Sequence, residues 1–280
     1  MSTFPETQST EAPSAEPVSV PVMPLTGERT VPDLAEENYW FRRHEVVYRR
    51  LVERCRDRDV LEAGAGEGYG ADLIADVARR VIGLDYDESS VAHIRARYPR
   101  VEMLHGNLAA LPLPDASVDV VVNFQVIEHL WDQGQFVAEC LRVLRPGGVL
   151  LMSTPNRITF TPGSDVPLNP FHTRELNAAE MTELLTEQGF VMEAMLGVYH
   201  GAGLRTLDAR YGGSIIQAQI DRAVADAPWP ADLLADVAAV TIDDFDLLDA
   251  GASDAKGNQV GAAGIDIDDS LDLVAIAVRP

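Results

Sequence analysis

The stretch at residues 60–70 constrains the fold of this chain more than any other part of its sequence. It begins with apolar residues typical of a buried strand and runs into glycines at 64, 66 and 68, after which a helix is predicted. Because glycine has no Cβ, such a run lets the backbone turn tightly and approach a ligand. The dinucleotide fingerprint G-x-G-x-x-G would need a glycine where Tyr69 stands. That difference disfavours a cofactor whose pyrophosphate sits on the helix N-terminus.

Two further predicted strands end in polar side chains. Residues 81–85 predict a buried strand that ends in Asp85, at the spacing where a carboxylate can accept hydrogen bonds from both hydroxyls of a ribose. Residues 118–124 predict another apolar strand, which leads into the run Gln125-Val126-Ile127-Glu128-His129. The carboxyl ends of such strands are where open α/β sheets bind ligands.

These three strand ends, in this order, resemble those of the class I S-adenosylmethionine-dependent methyltransferases, over roughly residues 26–200 and the last ten residues. The resemblance implies an α/β, Rossmann-like fold with a seven-stranded sheet, whose last strand inserts antiparallel between the fifth and sixth. It also implies that the cofactor is S-adenosylmethionine and that S-adenosylhomocysteine is a product. Residues 1–24 predict a disordered tail, and residues 25–280 the methyltransferase domain. Residues 201–268 predict a helical and loop insertion that borders the acceptor site.

The cofactor candidates lie at the strand ends and in the N-terminal helix predicted from residue 37. At Asn107 similar enzymes usually carry Asp, but the amide carbonyl can still accept a bond from the adenine amino group. Three further residues are candidates for contact with the cofactor carboxylate or the acceptor: Arg29, Tyr39 and His44. The alternative is an ordinary surface helix with no such contact. The strand-end candidates are Glu62, Gly64, Gly66, Gly68, Asp85, Tyr86, Asn107, Leu108, Asn123 and Gln125.

Methyl transfer to a hydroxyl requires alignment of the reactants and is assisted by a base, for which histidine is suited near neutral pH. His129 follows the fourth strand, where the resemblance places the cofactor methyl, and His172 lies in the loop after the fifth. Glu128, His129 and His172 are therefore the catalytic candidates, while His200 ends the sixth strand. A purely structural role is the alternative for each histidine.

The run from Gln125 to His129 is also similar to the E-x-x-E-H run with which some quinone O-methyltransferases hold magnesium. Here Gln125 replaces the first carboxylate, and magnesium prefers hard anionic oxygens. We therefore predict no metal site, although magnesium dependence stays open.

The formal net charge of −22 bears on partners. Such a surface repels nucleic acid and anionic lipid but tolerates a cationic sulfonium and a neutral acceptor. Without a secretory signal or an apolar run long enough to span a bilayer, the sequence predicts a soluble, cytoplasmic protein, as monomer or homodimer. Cys55 and Cys140 are expected to be buried thiols.

Several runs, among them residues 26–29, 37–44, 123–131 and 169–176, closely resemble the methyltransferases of the mycobacterial gene group for methylglucose lipopolysaccharide. That resemblance implies O-methylation of glucose hydroxyls, the 6-hydroxyl first. Trp40, Trp131 and Trp229 could stack on sugar rings, and ordinary packing explains them as well. Three alternatives are a quinone or phenol O-methyltransferase, a nicotinamide-dependent reductase and a partner subunit without catalysis. Tyr69 and the lack of an assignable hydride-transfer pair count against the reductase.

Overall fold

A single mixed sheet organises the computed structural model, which describes residues 29–225, 228–249 and 265–280. The strand order is β3-β2-β1-β4-β5-β8-β6-β7. β3, β2, β1, β4 and β5 run parallel to one another. β8 runs antiparallel to β5 and β6, and β7 runs antiparallel to β6. The strands are β1 Asp59–Ala63, β2 Arg80–Asp85, β3 Glu102–His105, β4 Val118–Phe124, β5 Leu144–Pro155, β6 Val191–His200, β7 Phe245–Asp249 and β8 Asp272–Val278.

Helices cover both faces of this sheet, and each face has its own apolar core. Alternate residues of a strand point to opposite faces, so Val60 packs in one core and Leu61 in the other. This explains why the central strands are almost continuously apolar. The helices are α1 Asn38–Leu51, α2 Tyr69–Ala75, α3 Glu88–Arg97, α4 Gln133–Val143, α5 Arg157–Phe160, α6 Ala178–Glu187, α7 Ala202–Arg210, α8 Ile215–Ala225 and α9 Ala231–Ala239.

The predicted α/β Rossmann-like fold is confirmed, including a last strand that inserts antiparallel between the fifth and the sixth. The strand count differs, because β7 adds an eighth strand along the free edge of β6. Its short, acidic sequence carries little strand signal, and pairing with residues 196–200 is what holds it extended. Residues 145–148 form an irregularity within β5, where its register with β4 shifts.

The predicted insertion at 201–268 packs against the N-terminal helix. α9, β7 and the 3₁₀ turn Ile242–Asp244 all contact α1. The amide of Asn38 donates to the carbonyls of Val237 and Val240, at 3.0 and 2.9 Å, and so closes the end of α9. The predicted tail at 1–24 and most of the loop at 250–266 lie outside the described residues.

A buried ion pair fixes α1 on the sheet. The guanidinium of Arg43 donates from Nε and Nη2 to the two carboxylate oxygens of Asp272 in β8, at 2.7 and 2.6 Å. Both side chains are almost completely buried, and Nη2 also donates to the carbonyl of Leu271 at 2.8 Å. Such a bidentate pair specifies the position of α1, since any shift of the helix would leave charge buried without a partner.

Two further observations concern the cysteines and the length of the helices. Cys55 and Cys140 are free and buried as expected, and burial raises the pKa of the Cys55 thiol to about 12. Within the described part of the chain, no helix combines the length and the apolar character that a membrane span requires.

We expect Arg43→Ala to lower the free energy of unfolding by about 3–5 kcal/mol, because it leaves the Asp272 carboxylate buried and unpaired. Arg54→Ala is the control, since its pair with Glu193 is exposed on both sides and contributes less than about 1 kcal/mol. Urea unfolding of both variants measures the difference. Equal losses in the two variants would contradict the role of the buried pair.

Candidate active site

A cavity of about 800 Å³ opens at the carboxyl ends of β1, β2, β3 and β4. That volume suits a small-molecule cofactor together with part of a second ligand. It is lined by Arg29, Thr30, His44, Tyr48, residues 64–67, Tyr69, Asp85, Tyr86, residues 105–109, residues 124–126, residues 129–132, Phe136 and Phe171.

The glycine turn after β1 forms one wall of the cavity. Gly64 has φ +88°, and a Cβ there would lie 2.7 Å from the side chain of Val126. Gly66 has φ +58° with no atom near its missing Cβ, so its backbone faces open space. Gly68 is the residue that precedes α2 and is not among the lining residues. The predicted close approach of backbone to ligand therefore concerns Gly64 and Gly66.

Asp85 stands at the end of β2 and faces this turn. Its carboxylate accepts from the backbone N–H of Gly66 at 2.8 Å and from that of Asp87 at 3.0 Å. The residue is only 6% exposed, and burial raises its pKa while the two amides oppose the shift. Arg29 lies at this end of the cavity, where its guanidinium pairs with Asp87 at 2.9 Å. A ribose role for Asp85 stays a prediction.

The residues that the sequence predicts to contact adenine also line the cavity. Asn107 and Leu108 both line the cavity, and the Asn107 Oδ1 accepts from the backbone N–H of Ala109 at 2.9 Å. Tyr86 is 64% exposed beside them, with its backbone carbonyl bonded to His105 Nε2 at 2.8 Å. Contact of these residues with adenine stays a prediction.

α1 contributes His44 and Tyr48, which lie four residues apart on one face of the helix. Burial lowers the pKa of His44 to about 4, so its imidazole is neutral. Tyr48, which the sequence analysis missed, donates to Glu62 Oε1 at 2.6 Å. Glu62 itself is buried behind the lining, and this burial raises its pKa to about 8. The four-residue spacing between His44 and Tyr48 was the sequence signal that could have identified Tyr48 as a lining residue.

Besides Gly68 and Glu62, two more cofactor candidates lie away from the cavity lining. Tyr39 is fully buried, and its hydroxyl is 2.6 Å from His200 Nε2, while His200 Nδ1 is 2.6 Å from Asp208. Asn123 is also fully buried and donates to the carbonyl of Ala63 at 2.7 Å, which joins the ends of β4 and β1. The structure thus gives both side chains packing partners, and neither is brought to the cavity.

The three catalytic candidates do come together: ligand atoms of Glu128, His129 and His172 lie within 4.8 Å of one another. His129 lines the cavity, and its Nδ1 is 3.0 Å from the carbonyl oxygen of Phe171. A carbonyl only accepts, so Nδ1 carries the proton and the lone pair of the neutral ring is on Nε2. The cavity-lining histidine is therefore held in a tautomer with a basic Nε2.

Glu128 and His172 lie deeper than His129. Glu128 is 1% exposed and accepts from the hydroxyl of Thr154 at 3.1 Å, and burial raises its pKa to about 8. Its Oε1 is 4.0 Å from His129 Nε2. The His172 side chain is 4% exposed and is not among the lining residues. Of the three, His129 is the one placed to meet a substrate.

The same three residues are the metal candidates within the described ranges. They offer one carboxylate and two imidazoles, whereas magnesium prefers a shell of oxygens. Both ring nitrogens of His172 already have partners, Glu175 at 2.6 Å and Asn169 at 3.0 Å. Gln125 lines the cavity but bonds through Nε2 to Ser153 Oγ, at 3.3 Å. The donor set does not fit a magnesium ion.

Two aromatic residues border the cavity close to His129. Trp131 is 93% exposed and Phe171 is 44% exposed, although both line the cavity. By contrast, Trp40 and Trp229 pack partly buried against the core. An aromatic residue two positions after His129 was the sequence signal for Trp131. Nothing in the sequence separated Phe171 from ordinary loop residues.

Comparison with known proteins points to one family. The chain is 77% identical over 258 residues to a probable S-adenosylmethionine-dependent methyltransferase of Mycolicibacterium smegmatis, which covers 92% of this chain and 96% of that relative. It is 68% identical over 268 residues to the probable S-adenosylmethionine-dependent methyltransferase Rv3030 of Mycobacterium tuberculosis, covering 96% and 94%. Residues 61–152 match a family model described as a methyltransferase domain.

The fold has solved counterparts as well. The crystal structure of an S-adenosylmethionine-dependent methyltransferase of Thermotoga maritima, described as a possible histamine N-methyltransferase, superposes with a TM-score of 0.55. It covers 86% of this chain and 93% of that one at 16% identity, which is a likeness of fold.

We expect Asp85→Asn to weaken binding of S-adenosylhomocysteine by about 10- to 150-fold, since hydrogen bonds to a charged group contribute about 1.5–3 kcal/mol. Isothermal titration calorimetry measures the affinity. Asp115→Asn, at an exposed carboxylate outside the cavity, is the matched control and should bind as the unchanged protein does. An unaltered affinity in Asp85→Asn would remove this carboxylate from the site.

Proposed function

This chain belongs to the S-adenosylmethionine-dependent class I methyltransferases, and from that premise we propose that it is an O-methyltransferase acting on a neutral saccharide. The observation that carries the proposal is His129, which lines the cavity with its proton on Nδ1 and a basic Nε2. Membership of a methyltransferase family also removes the nicotinamide-dependent reductase from consideration.

The proposed chemistry is an in-line displacement at the sulfonium methyl of the cofactor. The protein aligns the acceptor oxygen with that methyl, and alignment of this kind supplies about 7–11 kcal/mol of the barrier. A sugar hydroxyl must lose its proton as the new bond forms, because its own pKa is far above neutral. In our proposal His129 Nε2 takes that proton, and the carbonyl of Phe171 stabilises the resulting imidazolium through Nδ1–H.

The charges along the cavity support a neutral acceptor. The acidic residues Glu67, Asp85 and Asp132 are among the lining residues, and the guanidinium of Arg29 is paired with Asp87. An anionic acceptor would be repelled by this distribution, as it would by the net charge of −22.

The exposed aromatic side chains support a ring-shaped acceptor. Trp131 and Phe171 present apolar planes to solvent at the cavity, close to His129. The face of a pyranose that carries C–H groups is apolar, so it can stack on an indole while its hydroxyls bond to polar groups. Together with the resemblance to methyltransferases of methylglucose lipopolysaccharide, this makes glucose units the first acceptor to test, and their 6-hydroxyl the first position.

Other parts of the proposal concern partners. We propose a saccharide acceptor without nucleic-acid or membrane partners, and a monomer or homodimer. The insertion remains a proposed border of the acceptor site. Its described residues contact α1, and none of them is among the lining residues.

A quinone or phenol is the second candidate acceptor. The pair Glu128-His129 favours this acceptor through its similarity to the E-x-x-E-H run. The exposed rings of Trp131 and Phe171 would also stack on a planar ring. Gln125 and the donor set described above count against the metal that those enzymes use. A labelled-methyl assay over glucan oligomers and phenols separates the two candidates, because only one class of acceptor should become labelled.

We expect His129→Ala to lower kcat by about 10²- to 10⁴-fold, the usual contribution of a general base. Its affinity for S-adenosylhomocysteine should stay unchanged. The labelled-methyl assay with the best acceptor measures kcat, and His105→Gln, at the opposite end of the cavity, is the matched control at saturating cofactor. Full turnover in His129→Ala would show that this imidazole is not the base.

We expect Trp131→Ala to raise KM for a saccharide acceptor by about 2- to 10-fold, the loss of one aromatic contact. Thermal stability and cofactor affinity should not change, because the side chain is 93% exposed. Trp229→Ala, a tryptophan that packs against the core, is the contrasting variant and should lower stability instead. A KM that Trp131→Ala leaves unaltered would argue against stacking.

A further inference from the structure

The protonation of the buried imidazole of His172 can be read from the atoms around it. Asn169 lies three residues earlier in the loop between α5 and α6, and its Oδ1 accepts from the backbone N–H of Phe171 at 3.0 Å. A backbone N–H only donates, so this bond fixes which end of the amide is oxygen. The other end, Nδ2, lies 3.0 Å from His172 Nε2 and donates to it.

This bond determines the tautomer of His172. Because Nε2 accepts, its lone pair is unprotonated, and the single proton of the ring is on Nδ1. Nδ1 lies 2.6 Å from Oε1 of Glu175, a residue that is 3% exposed, and donates to it. His172 is therefore neutral, held between one donor and one acceptor.

We infer that Asn169 is a positioning residue that keeps His172 neutral and leaves His129 as the one proton acceptor of this histidine pair. The two rings are 4.9 Å apart and nearly perpendicular, at 87°. A cation on His172 would oppose the formation of a second cation on His129. In its use of His129 as base, this inference rests on the proposed function.

The surroundings of His172 show why such a residue is needed. The carboxyls of Glu128 and Glu175 both lie beside the ring. The negative charge of Asp272 also acts on Glu128. The ring of Phe160 stacks on the imidazole, with 5.4 Å between the ring centroids. Carboxylates favour a protonated imidazole, so a partner without donors at Nε2 would let His172 become cationic.

Asn169 also acts on His129. It binds the N–H of Phe171, and the carbonyl of the same residue accepts from His129 Nδ1 at 3.0 Å. The side chain of Asn169 thereby contacts both the backbone of Phe171, which fixes the tautomer of His129, and the imidazole of His172. A relay of the proton from His129 to His172 is excluded by the same bond, since the lone pair of Nε2 is occupied.

Nitrogen-15 NMR of histidine-labelled full-length protein tests the inference without any acceptor. His172 signals are identified by their loss in His172→Gln. At neutral pH, His172 should show a protonated Nδ1 and an unprotonated Nε2. In Asn169→Asp, the new carboxylate accepts a proton from Nε2, so His172 should become doubly protonated at neutral pH.

The acid limb of kcat against pH should then move to lower pH, because a cation on His172 disfavours a second cation on His129. Glu175→Gln is the control, because its amide oxygen still accepts from Nδ1 and the tautomer should persist. If Asn169→Asp does not fold, Asn169→Ala removes the donor and should shift the nitrogen-15 signal of His172 Nε2 from its wild-type position.

A wild-type His172 that is protonated on Nε2 at neutral pH overturns the inference, and so does an Asn169→Asp protein with an unchanged His172. These outcomes are separate from the proposed function. If no hydroxyl acceptor is methylated while the nitrogen pattern is as expected, the proposed function fails and the assignment of His172 stands.

Discussion

The cofactor end of the site depends on the bond between the backbone N–H of Gly66 and the carboxylate of Asp85. Parallel pairing brings the ends of β1 and β2 together, with Ala63 beside Leu84, so the turn after one strand meets the last side chain of the next. The turn needs positive φ at Gly64, where Val126 also leaves no room for a Cβ. A ligand that binds Asp85 therefore enters a site whose backbone is already in place.

The opposite wall depends on contacts far from the cavity. His44 and Tyr48 line the cavity because of the position of α1 on the sheet. The buried ion pair between Arg43 and Asp272 sets that position. The insertion packs on the outside of the same helix. A region that does not line the cavity can thus influence cofactor binding through the position of α1.

The acceptor end joins two loops about 40 residues apart in sequence, as chain crossings in an α/β sheet require. Thr173 donates from its backbone N–H to the carbonyl of Glu128 at 2.7 Å and from its hydroxyl to that of Leu130 at 2.7 Å. These bonds set His129 beside Phe171. His129, the proposed base, and the residues proposed to govern its protonation therefore belong to elements that are far apart in the sequence.

The sequence by itself indicated the strand ends, because local apolar runs, glycines and the spacing of Asp85 are properties of nearby residues. Through their resemblance to a methyltransferase family, these motifs also implied the fold and the cofactor. The sequence also named Glu128, His129 and His172 together. Only the tertiary structure decided that Tyr39 and Asn123 are packed away from the cavity, that Tyr48 and Trp131 line it, and that β7 extends the sheet. Each of these outcomes depends on which distant side chain is available as a neighbour, and burial and hydrogen bonding of that kind are fixed by packing across the sheet rather than along the chain.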